Sequence, residues 1–274
     1  MANRNVKGHV QSLIAAVQFL TRIPVPLTVP FEERTLARSV IYFPAAGALI
    51  GIVSACGLGL FAWLLPPLAA AVVALALWIA LSGGLHVDGW MDTADGVLSH
   101  RSRERMLEIM KDSRVGAMGV IAGVLLLLFK FALLAELAEA VPSRPSMLVW
   151  LVVCPIWSRW WMGAAIALYP NARQGQGMGA MFHGVRWRHP AAAFAAAFLL
   201  TAAALNAVGY SLPEAAGAAA LFAAISALTG LAGASWLARK LGGLTGDTYG
   251  ALNEGVEVAF LAAVIVVWRL MEQA

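Results

Sequence analysis

Three aspartates, Asp88, Asp92 and Asp95, follow a long apolar run in a chain that carries few charges. Offsets of four and seven residues return to within about 40° of the starting direction on an α-helix, so a helix here places all three carboxylates on one face. Such a face repels itself unless a cation lies among the carboxylates. Because Mg²⁺ is typically held by a few carboxylates together with substrate phosphates, the spacing predicts a site for a phosphorylated substrate.

A second acidic set occurs near the end of the chain, after the glycine-rich run 242–246. Asp247, Glu254 and Glu257 differ by seven and then three positions, so a helix again places their carboxylates on one face. Glu257 enters the last apolar segment, where an ionisable side chain is costly and therefore indicates a functional position. The alternative is an acid that snorkels from the end of a membrane span. We expect both acidic sets to belong to one site.

Several residues near both sets can recognise phosphate or metal. Lys111 and Arg114 precede an apolar segment, and Arg173 opens a run with three alternating glycines whose backbone N–H groups suit anion binding. His86, two residues before Asp88, can reach substrate or metal. The alternatives are that Lys111 and Arg114 only anchor the chain at the membrane surface, and that the glycine run is a flexible loop.

Two basic residues lie inside apolar segments. Arg159 must be paired or face a hydrated cavity, and it can reach a substrate phosphate from the membrane side. Lys130 is interpreted differently, because it lies near the outer end of its segment and can snorkel to the interface. Cys56 and Cys154 also lie in apolar segments, where a thiol behaves as a small hydrophobe, so we expect neither a disulfide nor a metal-thiolate site.

The composition places all these residues in a membrane protein. Of the 274 residues, 61% are hydrophobic and 12% charged, against about 45–50% and about 25% in soluble domains. The mean hydropathy is +0.77. At about 20 apolar residues per crossing, we predict an all-α, polytopic membrane helical bundle with about seven transmembrane helices and short interfacial helices on the cytoplasmic face. The predicted crossings are 38–64, 67–84, 115–137, 146–168, 190–208, 214–236 and 256–271.

Lysine and arginine are concentrated in alternate loops, which predicts the orientation. The N-terminal segment and the loops after the second, fourth and sixth crossings hold nearly all the loop cations, whereas the opposite loops hold only Arg144. We therefore expect a cytoplasmic N-terminus and a site facing the cytoplasm. Residues 1–274 are expected to form one integral membrane domain, in which 1–36 is an interfacial segment with an amphipathic helix near 10–20. The net charge of +4 fits anionic lipid headgroups or a phosphorylated substrate better than nucleic acid, because the cations are spread along the chain.

Three motifs together resemble the cobalamin synthase family, also called adenosylcobinamide-GDP ribazoletransferases. They are GGLHVDGWMDTADG at 83–96, MKDSRVG at 110–116 and GGLTGDTYGA at 242–251. The segments FLTRIPVP at 19–26 and YFPAAG at 42–47 look like this family too, so the resemblance covers nearly the whole chain. Trp90 and Met91 stand where the family often carries smaller aliphatic residues, but they leave the acidic positions untouched.

The resemblance implies a Mg²⁺-dependent transferase of the bacterial inner membrane. It implies that adenosylcobinamide-GDP reacts with α-ribazole or α-ribazole 5′-phosphate, releasing GMP and forming adenosylcobalamin or its 5′-phosphate. It leaves open a homo-oligomer or an association with other cobalamin-assembly enzymes. The implied metal ligands are Asp88, Asp92, Asp95 and Asp247, which are also the implied catalytic residues together with Glu254. The implied substrate-binding residues are His86, Lys111, Arg114, Arg159, Arg173, Thr245 and Glu257.

Three other classes of protein are alternatives. A CDP-alcohol phosphotransferase also binds metal with spaced aspartates, but its pattern has an Ala-Arg pair that the segment 92–95 lacks. A prenyltransferase with two aspartate-rich motifs fits the second acidic set poorly. An ion-coupled secondary transporter uses buried carboxylates, but it should place acids near the middle of the bilayer and contain a repeat.

Overall fold

The computed structural model describes residues 2–173, 175 and 177–273, with side chains from residue 6 onward. Within these ranges the chain is helical and contains no β-strand beyond one isolated bridge. The predicted all-α fold is therefore confirmed. In chain order the α-helices are α1 (Ala2–Leu20), α2 (Glu33–Ser39), α3 (Phe43–Leu64), α4 (Pro67–Ser82), α5 (Leu85–Val97), α6 (Arg103–Ile109), α7 (Ala117–Ala140), α8 (Val149–Leu168), α9 (Arg188–Ala207), α10 (Leu212–Leu241) and α11 (Gly246–Gln273).

Six helical segments in the described part of the chain are long and apolar enough to cross a membrane. The first joins α2 to α3 through a 3-10 turn, and the third begins with a 3-10 turn before α8. Each corresponds to a predicted crossing, so the polytopic character is confirmed. The segments are Glu33–Leu64, Ala117–Ala140, Pro145–Leu168, Arg188–Ala207, Leu212–Leu241 and Gly246–Gln273.

The remaining predicted crossing, 67–84, corresponds to α4 and ends in a sharp bend. The 16 residues of α4 extend about 24 Å at 1.5 Å per residue, less than the thickness of the hydrocarbon core. Gly83 and Gly84 follow with φ values of +65° and +72°, a left-handed conformation that residues with a Cβ rarely adopt. The two glycines turn the chain by 87° into α5. The aspartates of α5 therefore lie beyond the bend.

The last helix begins at Gly246, whereas the predicted crossing began at 256. Reciprocal hydrogen bonds explain why a glycine-rich segment becomes helical here. The Thr245 N–H donates to Thr248 Oγ1 at 2.7 Å, and the Thr248 N–H donates to Thr245 Oγ1 at 3.3 Å. This pair caps the first turn of α11 and offsets the low helix propensity of glycine. Asp247 consequently lies in that first turn, where the helix dipole favours a carboxylate.

Close helix packing and two apolar clusters hold the bundle together. Gly47 and Gly51 of α3 lie against the backbone of α8, where an added Cβ would clash with main-chain atoms of Pro155 and Leu151. Small residues at such crossings are typical of helices that pack in membranes. One apolar cluster is centred on α3, α8 and the middle of α11. The other joins α1, α2, α6 and the 3-10 turn Met178–Phe182 to the first turns of α11, and it therefore supports the candidate site.

Candidate active site

Helices α5 and α11 bring three carboxylates together. An added Cβ on Gly89 would lie 2.6 Å from the carbonyl oxygen of Asp247 and 3.1 Å from its Cα, so the two backbones touch at this point. Gly89 is adjacent to Asp88 and one turn before Asp92, which brings both side chains near Asp247. Asp88 is exposed, and the other two are partly buried. We call Asp88, Asp92 and Asp247 the acidic cluster.

The acidic cluster carries more negative charge than its surroundings compensate. Burial, followed by the negative charges of Asp88, Asp247 and Asp95, raises the pKa of Asp92 to about 7. Arg173 acts in the opposite direction but does not cancel these effects. A bound cation would stabilise the ionised carboxylates, because opposite charge favours the charged form.

Asp95 has different partners from the other two aspartates on α5. Its carboxylate oxygens accept hydrogen bonds from the backbone N–H groups of Gly116 at 2.6 Å and Gly119 at 2.7 Å. The first N–H groups of a helix have no partner within the helix, so Asp95 satisfies two donors at the start of α7. We therefore revise the role expected for Asp95. Its carboxylate joins α5 to α7. The remaining candidates for metal ligands are the three carboxylates of the acidic cluster.

Arg173 borders the acidic cluster. Its Nη2 lies 2.7 Å from Asp247 Oδ2 and donates to the carbonyl oxygen of Met110 at 3.3 Å. The Arg173 Nε is buried and has no hydrogen-bond partner among the described residues. An isolated parallel bridge between Asn171 and Leu244 holds this segment beside the start of α11. The guanidinium is thus fixed next to the carboxylates, where it can also contact a phosphate that a metal ion holds beside them.

Three other predicted substrate-binding residues differ in position. Thr245 is buried, and its hydroxyl caps α11 and lies 3.3 Å from Asp247 Oδ2, so it orients that carboxylate. Arg114 is exposed and pairs with Asp112 at 2.7 Å, and its hydrogen bonds hold the pKa of Asp112 at about 2. Lys111 is exposed on the same loop between α6 and α7. The phosphate-binding roles of Lys111 and Arg114 therefore stay predictions.

Three further predicted site residues, Arg159, Glu254 and Glu257, form a separate network with Lys130 inside the bundle. Lys130, Arg159, Glu254 and Glu257 are each at most 2% exposed. The Lys130 ammonium donates to Glu254 at 2.8 Å and also to Glu257, and Arg159 pairs with Glu257. Two positive and two negative charges balance, which reduces the cost of burying them in an apolar bundle.

This network changes the interpretation of four residues. Lys130 does not snorkel, because its ammonium is buried 4.5 Å from the centroid of the Trp78 ring and neutralises two glutamates. Glu254 lies two turns beyond Asp247, about 10 Å along the helix, and its carboxylate is bound to Lys130. Glu254 is therefore positioned as a counter-ion and not as a metal ligand or general base. Glu257 and Arg159 likewise contact each other instead of a phosphate.

His86 connects the buried network to α5. Its Nδ1 lies 3.2 Å from Arg159 Nη2 and 3.3 Å from Asn253 Nδ2. Asn253 and Ser158 also donate to Glu257 Oε1, each at 3.2 Å. The network thus joins α5, α7, α8 and α11, and it fixes the start of α5 two residues before Asp88.

Lys130 and Asn253 belong to this network, although neither was predicted from the sequence to do so. One signal was present, since Lys130, Arg159 and Glu257 lie inside apolar segments, Glu254 lies just before the last one, and the four charges cancel. Buried ionisable residues in membrane helices generally pair with one another. Asn253 gave no such signal, because an asparagine on a helix is compatible with many environments.

The donor set of the acidic cluster fits a magnesium ion. Within the described residues, no three His, Cys, Asp or Glu side chains already converge tightly enough to enclose a metal. Mg²⁺ does not require such a cage, because one or two carboxylates, water and substrate phosphates commonly complete its octahedron. Asp88 and Asp92 offer carboxylate oxygens that make no ion pair with the described basic residues.

The contact between α5 and α11 can be tested with Gly89→Ala. The added Cβ meets backbone atoms of Asp247, which cannot rotate away as a side chain can, so the helices must separate. We expect the activity of the purified protein to fall by at least about 10-fold, because small displacements of catalytic groups are costly. The matched control is Gly255→Ala, whose Cβ would lie 3.7 Å from the Trp90 ring, an ordinary contact. Equal activity of both variants would show that this contact does not position the carboxylates.

The fold and the site together define an integral membrane protein whose acidic cluster suits a metal-bound phosphate. Comparison with known proteins is consistent with that class. Residues 12–265 match the family model described as cobalamin-5-phosphate synthase, and the chain belongs to this family. It is therefore an enzyme, a transferase of cobalamin assembly, and the resemblance found in the sequence is confirmed.

Relatives match almost end to end. The chain is 39% identical over 263 residues to the adenosylcobinamide-GDP ribazoletransferase of Brevibacillus brevis, covering 94% of this chain and 99% of the relative. It is 41% identical over 262 residues to the protein of that name from a Roseiflexus species, covering 95% and 91%. The corresponding protein of Desulforamulus reducens is 42% identical over 252 residues, covering 90% and 92%. No solved structure matches the chain.

Proposed function

We propose that this enzyme joins adenosylcobinamide-GDP to α-ribazole, or to α-ribazole 5′-phosphate, in a Mg²⁺-dependent reaction that releases GMP. The product is adenosylcobalamin or its 5′-phosphate. The names of the relatives support the two substrates. The observation that carries the proposal is the acidic cluster, in which two carboxylates that pair with none of the described basic residues lie beside the Arg173–Asp247 ion pair.

The reaction forms one bond and breaks one. A ribose hydroxyl oxygen that is free in both α-ribazole and its 5′-phosphate attacks the phosphorus that is attached to the corrinoid, and the phosphoanhydride bond to the GMP phosphate breaks. The proton of the hydroxyl passes to a carboxylate of the acidic cluster, and GMP leaves with the bonding electron pair. When bound, Mg²⁺ neutralises charge on the diphosphate and polarises the phosphorus.

The described residues have distinct tasks in this proposal. Asp88 and Asp92 hold the metal, with Asp247 as a further ligand or proton acceptor. Arg173 orients Asp247 and stabilises negative charge on the phosphates, because its guanidinium is fixed beside the carboxylates. Thr245 orients Asp247 from the start of α11. Lys111 and Arg114 approach the phosphates from the exposed loop between α6 and α7.

The cellular setting is part of the proposal. The alternating distribution of lysine and arginine supports a multi-pass protein of the bacterial cytoplasmic membrane with the acidic cluster facing the cytoplasm. That side supplies the nucleotide-activated substrate. The proposed partners are the two substrates and the lipid bilayer, together with a second copy of the chain or other cobalamin-assembly enzymes.

GMP release from adenosylcobinamide-GDP tests the proposal directly. Purified enzyme in detergent or liposomes should release GMP only when α-ribazole or its 5′-phosphate is present, and a chelator should abolish the release until Mg²⁺ is restored. Comparing the two acceptors decides which one is preferred. Turnover that persists in excess chelator would contradict the metal requirement, and release without an acceptor would indicate hydrolysis instead of transfer.

A further inference from the structure

The two ring nitrogens of His86 differ in their surroundings. One of them, Nδ1, faces Arg159 Nη2 at 3.2 Å and Asn253 Nδ2 at 3.3 Å. Both of these nitrogens only donate hydrogen bonds, so Nδ1 must be the acceptor and the neutral imidazole carries its proton on Nε2. Nε2 is buried and has no hydrogen-bond partner among the described residues. A buried donor without an acceptor is costly, which indicates that a bound molecule supplies the acceptor.

His86 lines a small cavity that adjoins a larger one. The small cavity has a volume of about 30 Å³, enough for one water molecule. The larger cavity, of about 390 Å³, lies in the size range of small-molecule sites. The two cavities share the walls formed by Ile166, Gly179, Phe182 and Tyr249. Flat aromatic rings among apolar side chains favour a flat aromatic ligand.

The larger cavity lies near Arg173, the residue that borders the acidic cluster. Asn171, which lines it, accepts a hydrogen bond from the Arg173 N–H at 2.7 Å, and Arg173 pairs with Asp247. Gly179 lines the cavity too, and an added Cβ on it would lie 3.2 Å from Asn171 Nδ2, 3.3 Å from the Tyr249 ring and 3.5 Å from the backbone N of Gly246. A molecule in this cavity therefore lies beside the ion pair that borders the carboxylates.

We propose that the two cavities bind the aromatic base of the acceptor nucleoside. This inference rests on the proposed function, whose acceptor carries a benzimidazole with one unalkylated ring nitrogen. The base stacks against Tyr249 in the larger cavity. Its unalkylated nitrogen accepts the hydrogen bond from His86 Nε2, either directly or through the single water that the small cavity can hold. The ribose then lies towards Arg173 and Asp247, where one of its free hydroxyl groups reacts.

A change of one atom in the substrate tests the hydrogen bond without altering the protein. The analogue is the dimethylindole riboside, in which a C–H group replaces the unalkylated nitrogen. Because it leaves the buried Nε2–H without an acceptor, we expect its KM in the GMP-release assay to be about 10-fold higher than that of α-ribazole. The KM for adenosylcobinamide-GDP should not change.

Substitution of Tyr249 tests the stacking. Tyr249→Leu should raise the KM for α-ribazole by about 10-fold, since an aromatic ring contributes substantially to the binding of a base. Tyr249→Phe keeps the ring and should stay within about twofold of the wild type. The matched control is Tyr210→Leu, because Tyr210 lines a different cavity with Trp150 and Trp268. It should leave both KM values unchanged.

The outcomes separate this inference from the proposed function. If GMP is released normally but the two ribosides have equal KM values and Tyr249→Leu has no effect on them, the base site is wrong and the small cavity holds a water only. If the wild type releases no GMP, the proposed function is wrong. The base site is then measured by calorimetric titration of α-ribazole, where equal affinity of wild type and Tyr249→Leu, or no binding, overturns it.

Discussion

Asp92→Asn should lower the rate of GMP release by at least about 100-fold while the protein remains folded. Even residues that only support metal ligands typically change affinity or activity by about 10–100-fold, so the loss of a direct ligand should have at least the upper value. Asn keeps the size of the side chain and removes its charge. Because Asp92 is only partly buried and accepts no hydrogen bond from the described residues, the substitution should not destabilise α5.

Glu104→Gln is the matched control for this loss. Glu104 is an exposed acid on the neighbouring helix α6, outside the acidic cluster, and the same change from carboxylate to amide should leave the rate of GMP release unaltered. Thermal unfolding of both variants checks that they fold. Full activity of folded Asp92→Asn would contradict the assignment of Asp92 as a metal ligand.

Lys130→Met should destabilise the folded protein by about 3–5 kcal/mol, the usual cost of removing one partner from a buried ion pair. The substitution leaves the carboxylates of Glu254 and Glu257 with only the Arg159 guanidinium, so one negative charge in the core is uncompensated. Methionine fills most of the volume of lysine, which limits the contribution of a cavity. The midpoint of unfolding in a denaturing detergent measures the effect.

A second substitution can restore the charge balance. In the double variant Lys130→Met with Glu254→Gln, one positive and one negative charge remain, and we expect more than about half of the lost stability to return. Lys240→Met is the control, because Lys240 also lies over a tryptophan ring, that of Trp236 at 6.0 Å, but makes no ion pair with the described acids. It should change stability by less than about 1 kcal/mol. A double variant no more stable than Lys130→Met would contradict the charge-balance account.

The helices and the acidic face of α5 could be predicted because they depend on local periodicity. Hydropathy located the crossings, and the spacing of Asp88, Asp92 and Asp95 predicted a helix that the structure contains at Leu85–Val97. The spacing of Asp247, Glu254 and Glu257 likewise predicted a helix, whereas hydropathy placed the last crossing only at 256–271. A hydrogen-bonded cap between Thr245 and Thr248 starts the helix at Gly246, before the apolar residues begin.

The partners of individual side chains could not be predicted, because they depend on which helices are neighbours. In the sequence Asp95 cannot be distinguished from Asp88 and Asp92. In the structure it accepts hydrogen bonds from the N–H groups of Gly116 and Gly119, which are 21 and 24 positions away. Glu254 shares a helical face with Asp247 but meets Lys130 from a position 124 residues earlier. Spacing predicts a shared face, whereas the chemistry of that face changes along the helix as the environment changes from surface to core.

Binding of Mn²⁺, a paramagnetic substitute for Mg²⁺, tests most directly whether the acidic cluster holds the metal of the substrate diphosphate. Free and bound Mn²⁺ are distinguished by electron paramagnetic resonance in the presence of adenosylcobinamide-GDP. We predict that Asp92→Asn weakens Mn²⁺ binding by at least about 10-fold, whereas Glu104→Gln binds it as the wild type does. Equal Mn²⁺ affinity in wild type and folded Asp92→Asn would contradict the assignment of the metal to this cluster.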